Sequence, residues 1–298
     1  LYDHVKLTYS SRPGVARKFE AGLTFAALRK RGFDILHYHG DDYLCRGSDR
    51  RVRTLYGSAM YEALFAGFFL RGVRQALFYV LEWVSCLRRG AKVGISKTTT
   101  RALPLVKNII PCCVPLARFF PEGSKSGRPS LLFVGDLDSR KRGRLLVNTF
   151  ASAVAPALPD AELVVVGPQP CTGPQIRYRG RVDEQSLIGE YRAAWVYCCV
   201  SSYEGFGVPL LEAMACGAAV VACDTMGVSE LLRHNYNCLL CTEKTLGETA
   251  VRLLKDHALR QRLVANGLSF VKRFDAPGIA RAYQGLYREL APKSGAAA

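Results

Sequence analysis

The feature that most restricts this chain is a repeated alternation of short β-branched or aromatic runs with longer amphipathic ones. "FDILHYHG", "AKVGIS" and "KNIIPCCV" read as strands in the first part. "SLLFVGDL", "AELVVVGP", "QIRYRGRV", "AWVYCCVSS" and "AAVVACD" do so in the second, with helical spacing in "RGRLLVNTFASAVA", "EQSLIGEYRAA" and "VPLLEAMAC" between them. A strand that is apolar on both faces has to be covered on both, which a parallel sheet flanked by helices achieves. The expected fold class is therefore α/β, and 298 residues with 49% hydrophobic content suffice for two cores.

The stretch "FPEGSKSGRPS", Phe120 to Ser130, concentrates Gly, Pro, Ser and charge and is the expected linker. The first series lacks the strand, tight glycine turn and helix with which a doubly wound domain opens, so its front reads as truncated by at least one βα unit. No charged leader followed by an apolar run stands at the start, and no signal peptide is expected. The most apolar helical stretch, within Tyr61 to Arg89, is interrupted by Arg71, Arg74 and Glu82, so no bilayer span is expected.

Formal net charge is +16, and residues 1–130 hold 22 lysines and arginines against 9 acids. Such a field attracts anions: nucleic acid, anionic lipid or a phosphorylated substrate. Without aromatic residues between the cations of "SRKRGR", nucleic acid is not expected as a partner. The eleven cysteines, scattered and often inside apolar runs, suit reduced, buried thiols of a cytoplasmic protein better than a disulfide framework. Cys238 and Cys241 have metal-ligand spacing, but on a strand they face opposite ways and no second pair completes four ligands, so no metal is expected.

In "SSYEGFGVPLLEAMACG" a buried strand gives way to a turn and a helix. Pro209 suits the first helical turn, so the amides of Gly205, Phe206, Gly207 and Val208 open a positive helix end at the carboxyl edge of a parallel sheet. That arrangement binds phosphate, and the glycines are expected to let a ligand approach the backbone. Glu204 and Glu212 would repel phosphate alone; a ligand that also carries vicinal hydroxyls would give each carboxylate donors to accept from. Taken by themselves, both could equally be ordinary acids favoured near a helix start.

"EGFGVPLLEAMACGAAVVACD" resembles the Glu-x7-Glu signature of retaining glycosyltransferases of the GT-B fold, glycosyltransferase family 4. "LLFVGDLDSRKRGRLLVNTF" resembles the family's strand, basic loop and helix that open the donor domain, and "RFDAPGIARAYQGLYREL" its closing helix. "DILHYHGDDYL", "VRTLYGSAMYEA" and "IIPCCVPLARFFP" resemble its N-terminal segments, so the likeness runs in order from about residue 30 to 290. It implies two Rossmann-like domains facing a cleft: an incomplete acceptor-side domain at 1–127, a nucleotide-sugar donor domain at 128–274, and a helix at 275–291 crossing back.

The resemblance further implies transfer of a sugar from a nucleotide-sugar donor to an acceptor hydroxyl, with retention and without metal or other cofactor. Lys141 and Arg140 would clamp the donor diphosphate, Glu204 would contact the sugar, and Glu212 would bind the ribose. Backbone near Val182 would meet the base, and His39, Tyr56 and Gly57 would lie on the acceptor or sugar side. Many relatives act on lipid-linked or envelope glycans, so the Tyr61 to Arg89 region has two readings, a peripheral contact with the inner face of a membrane or a helix that simply packs on the sheet.

The pattern is broken at Asp136, where many relatives have arginine, and at Tyr56, where histidine is frequent. Cys113 replaces a turn glycine and would strain the chain if the position needed positive φ. The front unit reading as missing carries, in the family, a glycine-rich loop against donor and acceptor. The rival expectation is a non-catalytic protein that binds nucleotide sugar as a scaffold.

Overall fold

The computed structural model describes residues 33–40, 50–65 and 69–291. The stretch ahead of residue 33, on which the reading of a truncated front rests, lies outside them.

The first sheet has four parallel strands in the order β1 (Leu36–His39), β2 (Arg51–Leu55), β3 (Ala91–Gly94), β4 (Asn108–Ile109). Helices α1 (Ala59–Leu64), α2 (Phe69–Leu87) and α3 (Lys97–Ala102) connect them. Strand β2 does not stand out in the sequence because Arg51 and Arg53 interrupt it. Both are buried, where Arg51 Nη2 donates to Ser85 Oγ at 2.9 Å and Arg53 Nη1 to the Glu82 carbonyl at 3.4 Å. "KNIIPCCV" yields only the two residues of β4, because Pro111 has no N–H to continue the ladder. Cys113 does not have positive φ, so the substitution there carries no backbone strain.

The second sheet has six parallel strands in the order β10-β9-β8-β5-β6-β7. These are β5 (Ser130–Val134), β6 (Glu162–Val166), β7 (Ile176–Gly180), β8 (Val196–Cys199), β9 (Ala219–Cys223) and β10 (Leu239–Cys241). Alternation along β5 sends Leu132 into one core with Tyr197, Val220 and Tyr191, and Leu131 and Phe133 into another with Leu163, Val196 and Val221. Each such side chain buried contributes about 1.5–3 kcal/mol, which is why the strands are apolar throughout.

Helices α4 (Gly143–Thr149), α5 (Glu184–Ala193), α6 (Val208–Ala215), α7 (Leu246–Lys255) and α8 (His257–Val271) cover this sheet. Helix α4 runs on through a π turn at Phe150–Val154. Pro156 just beyond lacks a donor and would crowd the carbonyl four residues back, which a widened turn relieves. The last helix, α9 (Ala276–Leu290), returns to the first sheet, where Ile279, Tyr283, Leu286 and Tyr287 pack on Val52, Val93 and Ile110.

Strand β5 pairs with β6 on one side and β8 on the other, so the chain winds in opposite directions from that point. The loops leaving the carboxyl ends of β5 and β8 therefore diverge around a crevice, where ligands of open α/β sheets bind. That crevice faces the first sheet.

Candidate functional site

The loop after β5 carries Arg140 and Lys141; the loop after β8 carries Glu204 and the glycines. Ser202 N donates to the Arg140 carbonyl at 2.9 Å and Arg142 Nε to the Val200 carbonyl at 2.6 Å, so the two loops form one unit. Lys141 Nζ lies 2.7 Å from Glu204 Oε1, and Arg140 Nη1 lies 3.3 Å from Glu204 Oε2. Ser201 Oγ donates to the same Oε1 at 2.6 Å.

Glu204 is 4% exposed. Burial alone would raise its pKa, but Lys141 and Arg140, with hydrogen bonds from Lys141 and Ser201, outweigh it and hold the carboxyl below its usual value. A buried carboxylate kept ionised in this way also keeps two cations oriented.

Helix α6 opens with Gly207 at its N-cap, φ 91°, a conformation that disfavours a side chain; a Cβ there would also lie 2.7 Å from Leu210 Cδ1. The N–H groups of Gly205, Phe206, Gly207 and Val208 have no acceptor among the described residues. Gly205 also makes a contact between the domains. A Cβ there would lie 3.1 Å from the Tyr56 carbonyl, so this glycine lets the loop touch the first domain. The Phe206 ring is buried against Phe274, centroids 5.8 Å apart, which leaves only its backbone for binding.

Glu212 sits further along α6 and accepts from Tyr191 Oη at 3.0 Å. Burial raises its pKa, while Tyr191 and the nearby Lys141 charge oppose the rise. The Lys141 charge thus favours the ionised form of both glutamates. Val182 is half-buried against the α5 and α6 core, and Asp136 Oδ1 accepts from the Asp138 amide at 2.8 Å within its own loop.

A cavity of about 320 Å3 lies between the domains, lined by Tyr56, Gly57, Glu62, Arg140, Tyr203 and Gly205 among others. Of the expected residues, Arg140, Tyr56, Gly57 and Gly205 line it, whereas Lys141, Glu204, Phe206, Gly207, Val208, Glu212, Val182 and His39 do not. His39 stands at the end of β1, its Nδ1 2.6 Å from Tyr56 Oη. Partial burial lowers its pKa, and burial with the neighbouring Tyr283 pushes the Tyr56 phenol up to about 12. Tyr56 therefore meets the cleft as a neutral hydroxyl.

Three residues of the site carry no sequence signal. Glu62 on α1 lies 3.3 Å from Arg140 Nε and spans the domains. Tyr191 holds Glu212. Glu230 accepts from the Lys97 amide at 2.9 Å and from the Thr98 hydroxyl, capping α3 across the cleft. All three act through contacts between segments far apart in the chain, and nothing in their local spacing announces that. Cys238 and Cys241 lie at β10, where Cys241 pairs in register with Cys223 of β9 rather than with Cys238.

Two parallel α/β sheets with a basic loop and a glycine-flanked helix start at the switch point define a GT-B scaffold. Over 95% of this chain and 82% of that one it superposes on sucrose-phosphate synthase from Thermosynechococcus elongatus with a TM-score of 0.77 at 22% identity. An Anabaena protein, HepE, solved with UDP and glucose, gives 0.71 at 15% identity over 90% and 81% of the two chains. Residues 128–256 match the family model described as glycosyl transferases group 1, and the C-terminal domain is that of a group 1 glycosyltransferase.

Phosphatidyl-myo-inositol mannosyltransferase of Mycobacterium leprae is 30% identical over 179 residues, 54% of this chain and 47% of the relative. Its counterpart in Propionibacterium freudenreichii is 31% identical over 218 residues, 69% and 56%. The chain spans about half the length of the curated relatives it matches.

Proposed function

We propose that this protein transfers a glycosyl unit from a nucleoside diphosphate sugar to an acceptor hydroxyl with retained anomeric configuration. The observation that carries this reading is the Lys141–Glu204–Arg140 triad beside four unpartnered amides at the carboxyl edge between β5 and β8. A diphosphate placed there receives the amides of Gly205 to Val208 and the two cations, which neutralise charge as the glycosidic bond breaks. That role does not call for a metal ion. Glu204 accepts from the sugar and Glu212 from the ribose, each carboxylate gaining about 1.5–3 kcal/mol per charge-assisted bond. Backbone near Val182 meets the base.

In the step proposed, the acceptor oxygen bonds to the anomeric carbon on the face from which the phosphate oxygen departs, and that phosphate oxygen takes the acceptor proton. The acceptor enters from the side of His39, Tyr56 and Gly57. We infer a lipid-linked or envelope glycan as acceptor and a cytoplasmic protein resting on an anionic bilayer. No helix among the described residues is long and apolar enough to cross a membrane. Helix α2 nevertheless exposes Leu70, Val73, Leu77, Val80, Val84 and Leu87 along one side, its one acid, Glu82, being buried, and Arg74 and Arg89 are exposed.

The test is a transfer assay with a panel of UDP-, GDP- and ADP-sugars and polyprenyl-linked or glycolipid acceptors, the product anomer read by proton NMR. Turnover of one donor with retained configuration supports the reading. Tight donor binding without transfer or hydrolysis contradicts it in favour of a non-catalytic binder, and an inverted product contradicts the stereochemistry.

A further inference from the structure

A second concavity lies on the face of the C-terminal domain away from the β5–β8 crevice. It measures about 600 Å3 and is walled by Trp195, Val264, Ala265 and Leu268, with Lys125, His257 and Arg260 around it. Its wall is mostly hydrocarbon and indole, yet the charged groups facing it are cationic. Arg260 lies over the Trp195 ring, 4.3 Å from the centroid, and donates to the Leu253 and Leu254 carbonyls, both at 2.9 Å. Lys125 Nζ donates to the Ala194 carbonyl at 2.9 Å.

These backbone contacts anchor the two side chains at helix ends but bring them no countercharge. No carboxylate forms an ion pair with either among the described residues; Asp256, which acts on Arg260 only at a distance, accepts from the Leu259 amide. Desolvation pulls Lys125 down to about 8, and the Arg260 charge adds to the pull. Both cations border the same apolar groove, Arg260 over its aromatic wall, and neither is paired with a carboxylate there. Of the three N–H groups on Lys125, one is used by the protein, and the others remain for an anion.

We propose that this groove binds an amphiphilic organic anion, its phosphate or carboxylate head between Lys125 and Arg260 and its hydrocarbon along Trp195, Val264 and Leu268. The groove is not continuous with the cleft, sharing none of its lining residues, so occupancy is independent of the donor nucleotide.

The test is calorimetric titration of the full chain with octyl phosphate, octyl glucoside and inorganic phosphate, with and without saturating UDP. Expected are saturable octyl phosphate binding unaffected by UDP, and at least tenfold weaker binding of both other probes. Lys125→Gln and, separately, Gln261→Glu, which adds a negative charge on the exposed rim, should each weaken octyl phosphate about tenfold while the melting temperature holds. Octyl glucoside binding as tightly as octyl phosphate would remove the anion from the site, and equal binding by inorganic phosphate would remove the apolar arm. Unchanged affinity in both variants would overturn the proposal outright.

Discussion

Lys141 and Glu204, 63 residues apart in the chain, form an ion pair of 2.7 Å that Ser201 completes from the same loop. This pair keeps a buried carboxylate ionised and holds the lysine side chain in place. Glu204→Gln keeps the shape and removes the charge that orients Lys141 and Arg140. The expected result is a fall in kcat of about a hundredfold with donor affinity reduced far less, as for a group whose interactions matter most in the transition state. Steady-state kinetics with the cognate donor checks it.

Glu212 has the Tyr191 hydroxyl as its donor. Glu212→Ala is expected to weaken nucleoside diphosphate binding at least tenfold, matching the loss of one or two charge-assisted hydrogen bonds of about 1.5–3 kcal/mol each. Tyr191→Phe removes a contact that favours the charged carboxyl, so the Glu212 pKa should rise further and binding should weaken at mildly acidic pH. Titration calorimetry of both variants across pH separates these effects.

The ion pair from Arg140 to Glu62 joins the two domains, both side chains being about a quarter exposed. Partly screened pairs of this kind contribute about 1 kcal/mol or less. Glu62→Gln should therefore lower kcat/KM by about fivefold through looser closure while leaving the melting temperature nearly unchanged.

His37 connects the first sheet to α9, with Nδ1 2.5 Å from Tyr287 Oη and Nε2 2.8 Å from Thr54 Oγ1. Burial, then the charge of His39, pulls its pKa down to about 3 from 6.5. A folded-state pKa below the unfolded one means that the unfolded chain binds the proton more readily. The contribution is therefore complete above about pH 6.5 and is lost as pH falls toward 3, with a slope of at most about 1.4 kcal/mol per unit. Urea midpoints measured from pH 7 to pH 4 should fall, and His37→Gln should flatten that fall.

Much of this was legible beforehand, for a physical reason. Strands of a doubly covered parallel sheet must be apolar, so β5, β6, β8 and β9 stand out; a helix start that binds anions needs glycine and tolerates Pro209, so the Glu204 to Glu212 segment does too. Strand β2 did not, because its buried arginines read as surface. Nor did the contact of Gly205 with the Tyr56 carbonyl, which approaches from another domain. Contacts between distant segments, such as Glu62 with Arg140, leave no trace in local periodicity.

The exposed side of α2 makes a prediction about location. Leu70 and Leu77 are 81% and 59% exposed. Replacing both with Ser should abolish co-sedimentation with vesicles containing anionic lipid, since each buried leucine contributes about 1.5–3 kcal/mol. Transfer to a short water-soluble acceptor should be unchanged.

The most direct measurement is the affinity of nucleoside diphosphate for the wild-type chain and for Lys141→Ala, set beside the affinity of the corresponding nucleoside. Lys141→Ala should bind the diphosphate at least thirtyfold more weakly, about 2 kcal/mol, while nucleoside binding is unaltered. Equal diphosphate affinity in the two proteins would contradict a donor phosphate held between Lys141 and the start of α6.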